Sequence, residues 1–198
     1  MSKGEETQQQ IVRGGLREAS RIGLTHLTIG GLAAALDLSK SGLYAHFGSK
    51  ENLQLAILDH AAEHFKNTVV LPSLKEPAGL PRIRTLVERW VGWDGEAEYA
   101  LPGGCVFVAA ANELDDAPDG PMRDRLVSLH TTFQETIERV HRSAVTAGDL
   151  IPSDSTDFAH ELYSLMLGHH FAHRMTRDPE AAARTRRAVD RLLAALRA

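Results

Sequence analysis

The sequence predicts an all-α protein of about nine helices, with an N-terminal three-helix domain of helix-turn-helix type and a larger C-terminal helical domain. No stretch alternates apolar and polar residues for long enough to build a sheet. Apolar residues instead recur at helical steps, as between Leu126 and Ala144, where the steps are three, four, four, three and four. Glycine, proline and small hydroxyl residues interrupt this pattern, as they do where helices end and begin.

The bulk composition is that of a globular protein with a core. The chain has 198 residues, of which 43% are hydrophobic and 24% charged. No apolar run approaches the roughly 20 residues that a membrane span requires, and the polar N-terminus MSKGEETQQQ does not resemble a signal peptide. Cys105 is the single cysteine, so it forms no internal disulfide and no cysteine metal cluster. We therefore expect a cytoplasmic protein with no membrane partner.

Four helices, of which the fourth is longer, are expected in the first 72 residues. The first ends at a glycine, as helices commonly do. The next two lie on either side of a tight turn, and the fourth runs on until proline stops it near Pro72. The residues that we expect to end, cap or turn these helices are Gly23, Thr28, Asp37, Ser39, Gly48 and Ser49.

Five more helices are expected after Pro72. They are LPRIRTLVERWVGW, GGCVFVAAANELDD, the stripe around 126–144, TDFAHELYSLMLGHHFAHRMTR and PEAAARTRRAVDRLLAALRA. Residues 117–121 (APDGP), Gly148 and Pro152 mark turns between them.

Charge is distributed unevenly along the chain. The formal net charge is −4, yet residues 1–50 hold six Lys/Arg and four Asp/Glu, which gives +2 and leaves −6 for the rest. A net negative protein is not coated for nonspecific nucleic-acid binding, but a local basic face is compatible with this balance.

Residues 28–47 read as helix, tight turn and helix, the arrangement whose second helix enters the major groove of DNA. At about 100° per residue, Leu43 and Phe47 share one face and should point inward. The residues expected to meet them from the preceding helix are Leu32, Ala35 and Leu36.

The other side of the second helix has the residue types of a DNA contact. Lys40, Ser41 and Tyr44 fall within about 100° of one another, and Gly42 would allow a close approach. Lysine reaches base edges or phosphates, and a tyrosine contacts phosphate through its hydroxyl or a thymine methyl through its ring. Thr28 and Lys50, at neighbouring helix starts, are candidate phosphate contacts.

The stretch LTIGGLAAALDLSKSGLYAHFGSKENL resembles the signature of the TetR family of transcriptional regulators. The family's run of hydrophobic-Tyr-x-His-Phe stands here as Leu43-Tyr44-Ala45-His46-Phe47, followed by Lys50 and an apolar helix. The detailed match covers about residues 10–58. Two departures are Gly30-Gly31, where the family more often has charged or bulkier residues, and Asp37, where it commonly has glycine.

The resemblance implies a homodimer, usually a repressor, that binds a palindromic operator in double-stranded DNA and is released by a small-molecule effector. It implies a DNA-binding domain over residues 1–50 and an effector-binding and dimerisation domain over 51–198. The positions that match DNA contacts in the family are Thr28, Lys40, Ser41, Gly42, Tyr44, His46 and Lys50.

The C-terminal domain gives weaker signals. Aromatic, apolar and histidine side chains that could line an effector pocket are Trp90, Phe107, Phe133, Tyr163, Met166 and His170. The last two helices, about 156–176 and 179–197, are candidates for the dimer seam. A two-fold dimer would set two recognition helices about 34–36 Å apart, which is one turn of DNA, or somewhat wider. Candidate interface residues are Leu162, Leu165, His169, Val189, Leu192, Leu193 and Leu196.

Two alternatives remain. One is an all-helical enzyme that uses Cys105 or the cluster of His169, His170 and His173. No acidic or cysteine ligand lies near these histidines in sequence and no nucleophile–base spacing appears, so we expect neither a metal nor a cofactor nor catalysis. The other is a DNA-binding regulator that has no ligand.

Overall fold

The structure is a computed structural model that describes residues 3–198, and across that range it is all-α, as predicted. Its helices are α1 (Lys3–Ile22), α2 (Ile29–Ala35), α3 (Lys40–Phe47), α4 (Lys50–Phe65, continued by a π-helical turn Lys66–Val70 and by Leu71–Lys75), α5 (Leu80–Val91, continued by a π-helical turn Gly92–Glu96), α6 (Val106–Leu114), α7 (Pro121–Thr146), α8 (Ser155–His170, continued by a π-helical turn Phe171–Met175) and α9 (Ala181–Ala195). Among the described helices, none combines the length and apolarity needed to cross a lipid bilayer.

The predicted helix boundaries around α2 and α3 are confirmed. Thr28 Oγ1 accepts the Gly31 N–H at 3.0 Å, and Ser39 Oγ accepts the Gly42 N–H at 3.0 Å. Asp37 takes the left-handed conformation of a tight turn, with φ of 54°. Each hydroxyl satisfies an N–H that the first helical turn leaves without an intrahelical partner.

The prediction that α4 stops near Pro72 is wrong. The chain stays helical to Lys75, and Leu71 N–H donates to Lys66 O, five residues back. The wider π-helical turn changes the hydrogen-bond pattern just before the proline. Pro72 then lies in the first turn of the segment that follows, where its missing N–H is not needed.

The core below α2 and α3 follows the predicted pattern with one exception. Leu32, Leu43 and Phe47 are 1%, 1% and 7% exposed. Ala35, predicted to point inward, is exposed, and Ala33 is buried in its place. In a helix of only seven residues, both alanines fit an apolar stripe, and the tertiary contacts decide which one is covered.

The chain forms two compact units. The first combines the chain up to His64 with Leu101–Ser128, and the second combines Phe65–Ala100 with Leu129–Ala198. The first unit therefore contains α6 as well as the helix-turn-helix, which the sequence did not indicate. The functional division at residue 50 stays a prediction.

The second unit is a helical assembly with its own core. Ile83, Leu86 and Trp90 of α5 are at most 2% exposed. Asp149 Oδ2 accepts the Leu80 N–H at the start of α5 at 2.9 Å. These contacts tie the turn after α7 to the beginning of α5.

Candidate nucleic-acid interface and ligand region

The α3 helix presents a polar, open face opposite its buried one. Lys40, Ser41 and Tyr44 are all exposed, and Tyr44 is 56% exposed although its ring is large and apolar. Its neighbours Leu43 and Phe47 anchor the helix to the core. The helix therefore offers one basic, one hydroxyl and one phenol group together on a rigid element, which are the groups that contact phosphates and base edges.

Gly42 has a local structural reason as well as the predicted functional one. A Cβ at this position would lie 2.9 Å from Ser39 Oγ, the cap of α3. The hydroxyl thus occupies the space beside the glycine. A glycine at position 42 therefore leaves room for the Ser39 hydroxyl that caps α3.

The remaining predicted DNA contacts differ in how exposed they are and in how many hydrogen-bond donors they have left. Thr28 is exposed, and its hydroxyl accepts one hydrogen bond while its own hydrogen remains available. Lys50 is exposed, and its Nζ donates to Thr25 O at 2.6 Å, which leaves two further N–H groups. His46 is half-buried, with its ring 6.3 Å from that of Phe47.

Two side chains of α4 that the sequence did not single out hold the helix-turn-helix. Asn52 Nδ2 donates to Phe47 O at 3.0 Å, at the end of α3. Gln54, which is buried, donates through Nε2 to Leu24 O at 2.7 Å, in the turn before α2. The buried Gln54 amide needs such a partner, and its acceptor lies 30 residues earlier in the chain, too far to be found by a motif search.

The predicted effector residues are divided between the two compact units. Phe107 belongs to the first unit and the other five to the second. Trp90 and Met166 are 2% and 0% exposed, whereas Phe133, Tyr163 and His170 are half-buried. Side chains that remain partly accessible are the better candidates for ligand contact.

An aromatic cluster surrounds two of these residues. The Phe133 and Tyr163 rings lie edge to face with centroids 5.9 Å apart. His130 lies 5.0 Å from Tyr163, and Phe65 lies 5.1 Å from Phe133. Burial lowers the pKa of His130, which favours the neutral imidazole at pH 7. His130 therefore contributes an uncharged aromatic ring to the cluster.

The histidine cluster has an acidic neighbour that lies far away in sequence. Asp94, whose side chain is fully buried, accepts a 2.6 Å hydrogen bond from His170 Nδ1, 76 residues later. His169 Nε2 lies 3.8 Å from the other carboxylate oxygen, and the His169 and His173 rings stack with centroids 5.6 Å apart. Among the described residues, no group of three or more His, Cys, Asp or Glu is arranged to hold a metal ion. The carboxylate instead orients an imidazole.

Most of the predicted dimer residues pack within their own chain. Leu162, His169, Val189 and Leu193 are between 0% and 3% exposed, and the other three, Leu165, Leu192 and Leu196, are half-buried. The large exposed apolar residues at this end of α8 are instead Leu167, Phe171 and Met175, at 38%, 60% and 72% exposure.

Comparison with known proteins places both parts of the chain. The family described as "Bacterial regulatory proteins, tetR family" matches residues 11–57, and "Tetracyclin repressor-like, C-terminal domain" matches residues 79–189. Comparison with curated proteins gives no match.

Solved structures share the fold along nearly the full length. A TetR-family regulator from Cytophaga hutchinsonii is 20% identical with a TM-score of 0.86, covering 100% of this chain and 98% of its own. A TetR regulator from Chloroflexus aurantiacus is 26% identical with a TM-score of 0.84, covering 98% and 96%. AibR, solved with isovaleryl coenzyme A and operator DNA, is 19% identical with a TM-score of 0.67, covering 96% and 97%. Since the C-terminal family alone matches more than half of the residues, the chain belongs to the tetR family of bacterial transcriptional regulators.

Proposed function

We propose that the chain is a homodimeric repressor in the bacterial cytoplasm, which binds a palindromic operator and leaves it when a small-molecule effector binds. The observation that carries the DNA-binding part is the exposed Lys40, Ser41 and Tyr44 on one side of a helix whose other side is anchored in the core. AibR, with the same fold, is solved with operator DNA.

The DNA-binding proposal is tested on duplexes that the wild-type protein selects from a random-sequence pool. We expect Lys40→Ala and Tyr44→Ala to weaken binding to the selected duplex, and Lys40→Ala to reduce the slope of log K against log salt by about one if the lysine contacts a phosphate. Lys75→Ala, at an exposed lysine of the second unit, is the matched control. Wild-type binding by both head variants would refute the proposed interface.

The effector is proposed to contact the aromatic cluster of the half-buried Phe133 and Tyr163 and the exposed His130, since small-molecule sites are mostly apolar with a few polar groups. A thermal-shift screen should include acyl-coenzyme A thioesters, because AibR binds isovaleryl coenzyme A. A hit should dissociate the selected duplex, and Tyr163→Ala should lose the thermal shift while Tyr44→Ala keeps it. No hit across a broad library would favour a regulator without a ligand.

The dimer is proposed to use the exposed apolar residues at the end of α8. Leu167, Phe171 and Met175 follow one another at four-residue steps and expose large side chains, and such groups mark interaction surfaces. We expect Phe171→Asp to shift the protein toward monomer in sedimentation velocity. Val127→Asp, which alters a residue 53% exposed on α7, should not. If the Phe171→Asp variant remained a dimer, the proposed interface would be wrong.

We propose no catalytic role. Cys105 is 3% exposed, and an inaccessible thiol is not available as a nucleophile. Asp94, whose side chain is also fully buried, accepts a hydrogen bond from His170 and orients its ring. A role in regulation rather than in catalysis is consistent with the family, which is one of regulatory proteins.

A further inference from the structure

The turn between α1 and α2 is held by three side chains that lie outside it. Thr25 N–H donates to Glu113 Oε2 at 2.7 Å, and Thr25 O accepts from Lys50 Nζ at 2.6 Å. The preceding carbonyl, Leu24 O, accepts from Gln54 Nε2 at 2.7 Å. Both peptide groups of Thr25 are therefore fixed, one by an anion and one by a cation, and such charge-assisted bonds are the stronger ones.

Glu113 occupies a place that the turn leaves open for it. A Cβ at Gly23 would lie 2.2 Å from Glu113 Oε1, and Gly23 has a φ of 94°, which side chains rarely adopt. The glycine therefore serves both the reversal after α1 and the approach of the carboxylate. A side chain at Gly23 would displace the carboxylate from Thr25.

The helix that carries Glu113 is also anchored at its other end. Gly103, just before α6, donates its N–H to Ser20 Oγ at 3.1 Å. A Cβ there would lie 1.5 Å from Ser20 O, so the two backbones touch directly. The segment that contains α6 thus contacts the end of α1 near Gly103 and the next turn near Glu113. This packing fixes the position of the Glu113 side chain beside Thr25.

The clamped residue lies three positions before the cap of α2. Thr28 caps that helix and is a predicted DNA contact, so the direction of the chain at Thr25 sets where Thr28 and the helix-turn-helix begin. We propose that Glu113 is a positioning residue for DNA binding, which holds the turn before α2 in the conformation that the operator requires. The inference rests on the proposed DNA-binding function.

The charge of Glu113 and its positioning of Thr25 predict opposite effects on DNA affinity when the carboxylate is removed. A carboxylate in a DNA-binding unit repels phosphates, so removing its charge should strengthen binding if charge alone matters. If Glu113 acts by holding Thr25, removing the acceptor should weaken binding. Glutamine separates the two, because it loses the charge but keeps an amide oxygen that can accept from Thr25 N–H.

The test measures affinity for a duplex selected by the wild-type protein from a random pool, by fluorescence anisotropy at fixed salt. We expect Glu113→Ala to bind about tenfold more weakly, a change of about 1.4 kcal/mol, while Glu113→Gln keeps or exceeds wild-type affinity. Asp116→Ala, at an exposed carboxylate just beyond α6, is the charge-matched control and should not weaken binding. Amide hydrogen exchange should quicken at Thr25 in the alanine variant only.

Three results would overturn the assignment. One is wild-type or stronger binding by Glu113→Ala, another is a glutamine variant as weak as the alanine variant, and the third is unchanged exchange at Thr25. A lower melting temperature beside the first of these results would show that Glu113 has a structural role alone. If wild type selects no duplex, both proposals fail; if Tyr44→Ala loses binding and Glu113→Ala does not, only this one fails.

Discussion

Gly30 lies in the first turn of α2, where the chain is helical and a side chain would meet nothing. A Cβ built at this position has no atom within 4 Å, and the residue is exposed. Replacing it with alanine introduces no clash and removes backbone freedom mainly from the unfolded chain. We expect Gly30→Ala to raise the free energy of unfolding by about 0.4–1 kcal/mol, which for a protein of this size raises the melting temperature by roughly 1–4 °C.

Urea denaturation followed by circular dichroism measures this change, provided that the denaturant slope stays the same. Ala34→Gly, at an exposed position of the same helix, is the reverse control and should cost about 1 kcal/mol. A loss of stability in Gly30→Ala would refute the reasoning, because it would mean that the position is strained or covered. A gain in stability together with weaker binding to the selected duplex would assign Gly30 to a close contact with DNA.

Three other perturbations test the second unit. Burial lowers the pKa of His141, Arg142 acts in the same direction, and Asp154 opposes both. As the pH falls, His141 is protonated in the unfolded chain before it is protonated in the folded one, so the free energy of unfolding should hold above about pH 6.5 and fall below it. Urea titrations at several pH values would measure this change. The pKa values of His130, in the second unit, and of His60, in the first unit, are lowered too, so both histidines should add to this loss at low pH. Asp94→Ala should cost about 1–3 kcal/mol, since it leaves the Nδ1–H of the half-buried His170 without its acceptor. Arg186→Ala should cost less than about 1 kcal/mol, because its pair with Glu88 is 44% and 49% exposed.

The local signals of the sequence predicted the local structure. Thr28, Ser39 and Ser49 each accept the N–H three residues later, at 3.0 Å in all three cases. A cap needs only its own residue and the next turn, so its chemistry can be read from a few letters. The exposed face of α3 could be predicted from the sequence for the same reason, since the spacing of Leu43 and Phe47 fixes which side of the helix turns inward.

Contacts between distant parts of the chain left no such signal. His170 and Asp94 are 76 residues apart, and Thr25 and Glu113 are 88 apart. A search for ligands near the histidines in sequence could not find the carboxylate, and nothing in the run VFVAAANEL shows that α6 packs with the helix-turn-helix. Periodicity gives the face of a helix, but which element covers that face is decided by the fold.

The α8 helix shows where this limit matters for assembly. Leu162, Met166 and His169 share one face and are buried in the chain's own core. Leu167 lies about 140° around the helix from Leu162, and it begins the exposed series that continues to Phe171 and Met175. A helix with two apolar faces has two surfaces to remove from water, and the core of one chain covers only one of them. The sequence pattern predicted an apolar seam on this helix that includes Leu162 and His169, which lie on the inner face. The dimer proposed above would cover the outer face, and this is why Phe171→Asp and not Val127→Asp is expected to weaken it.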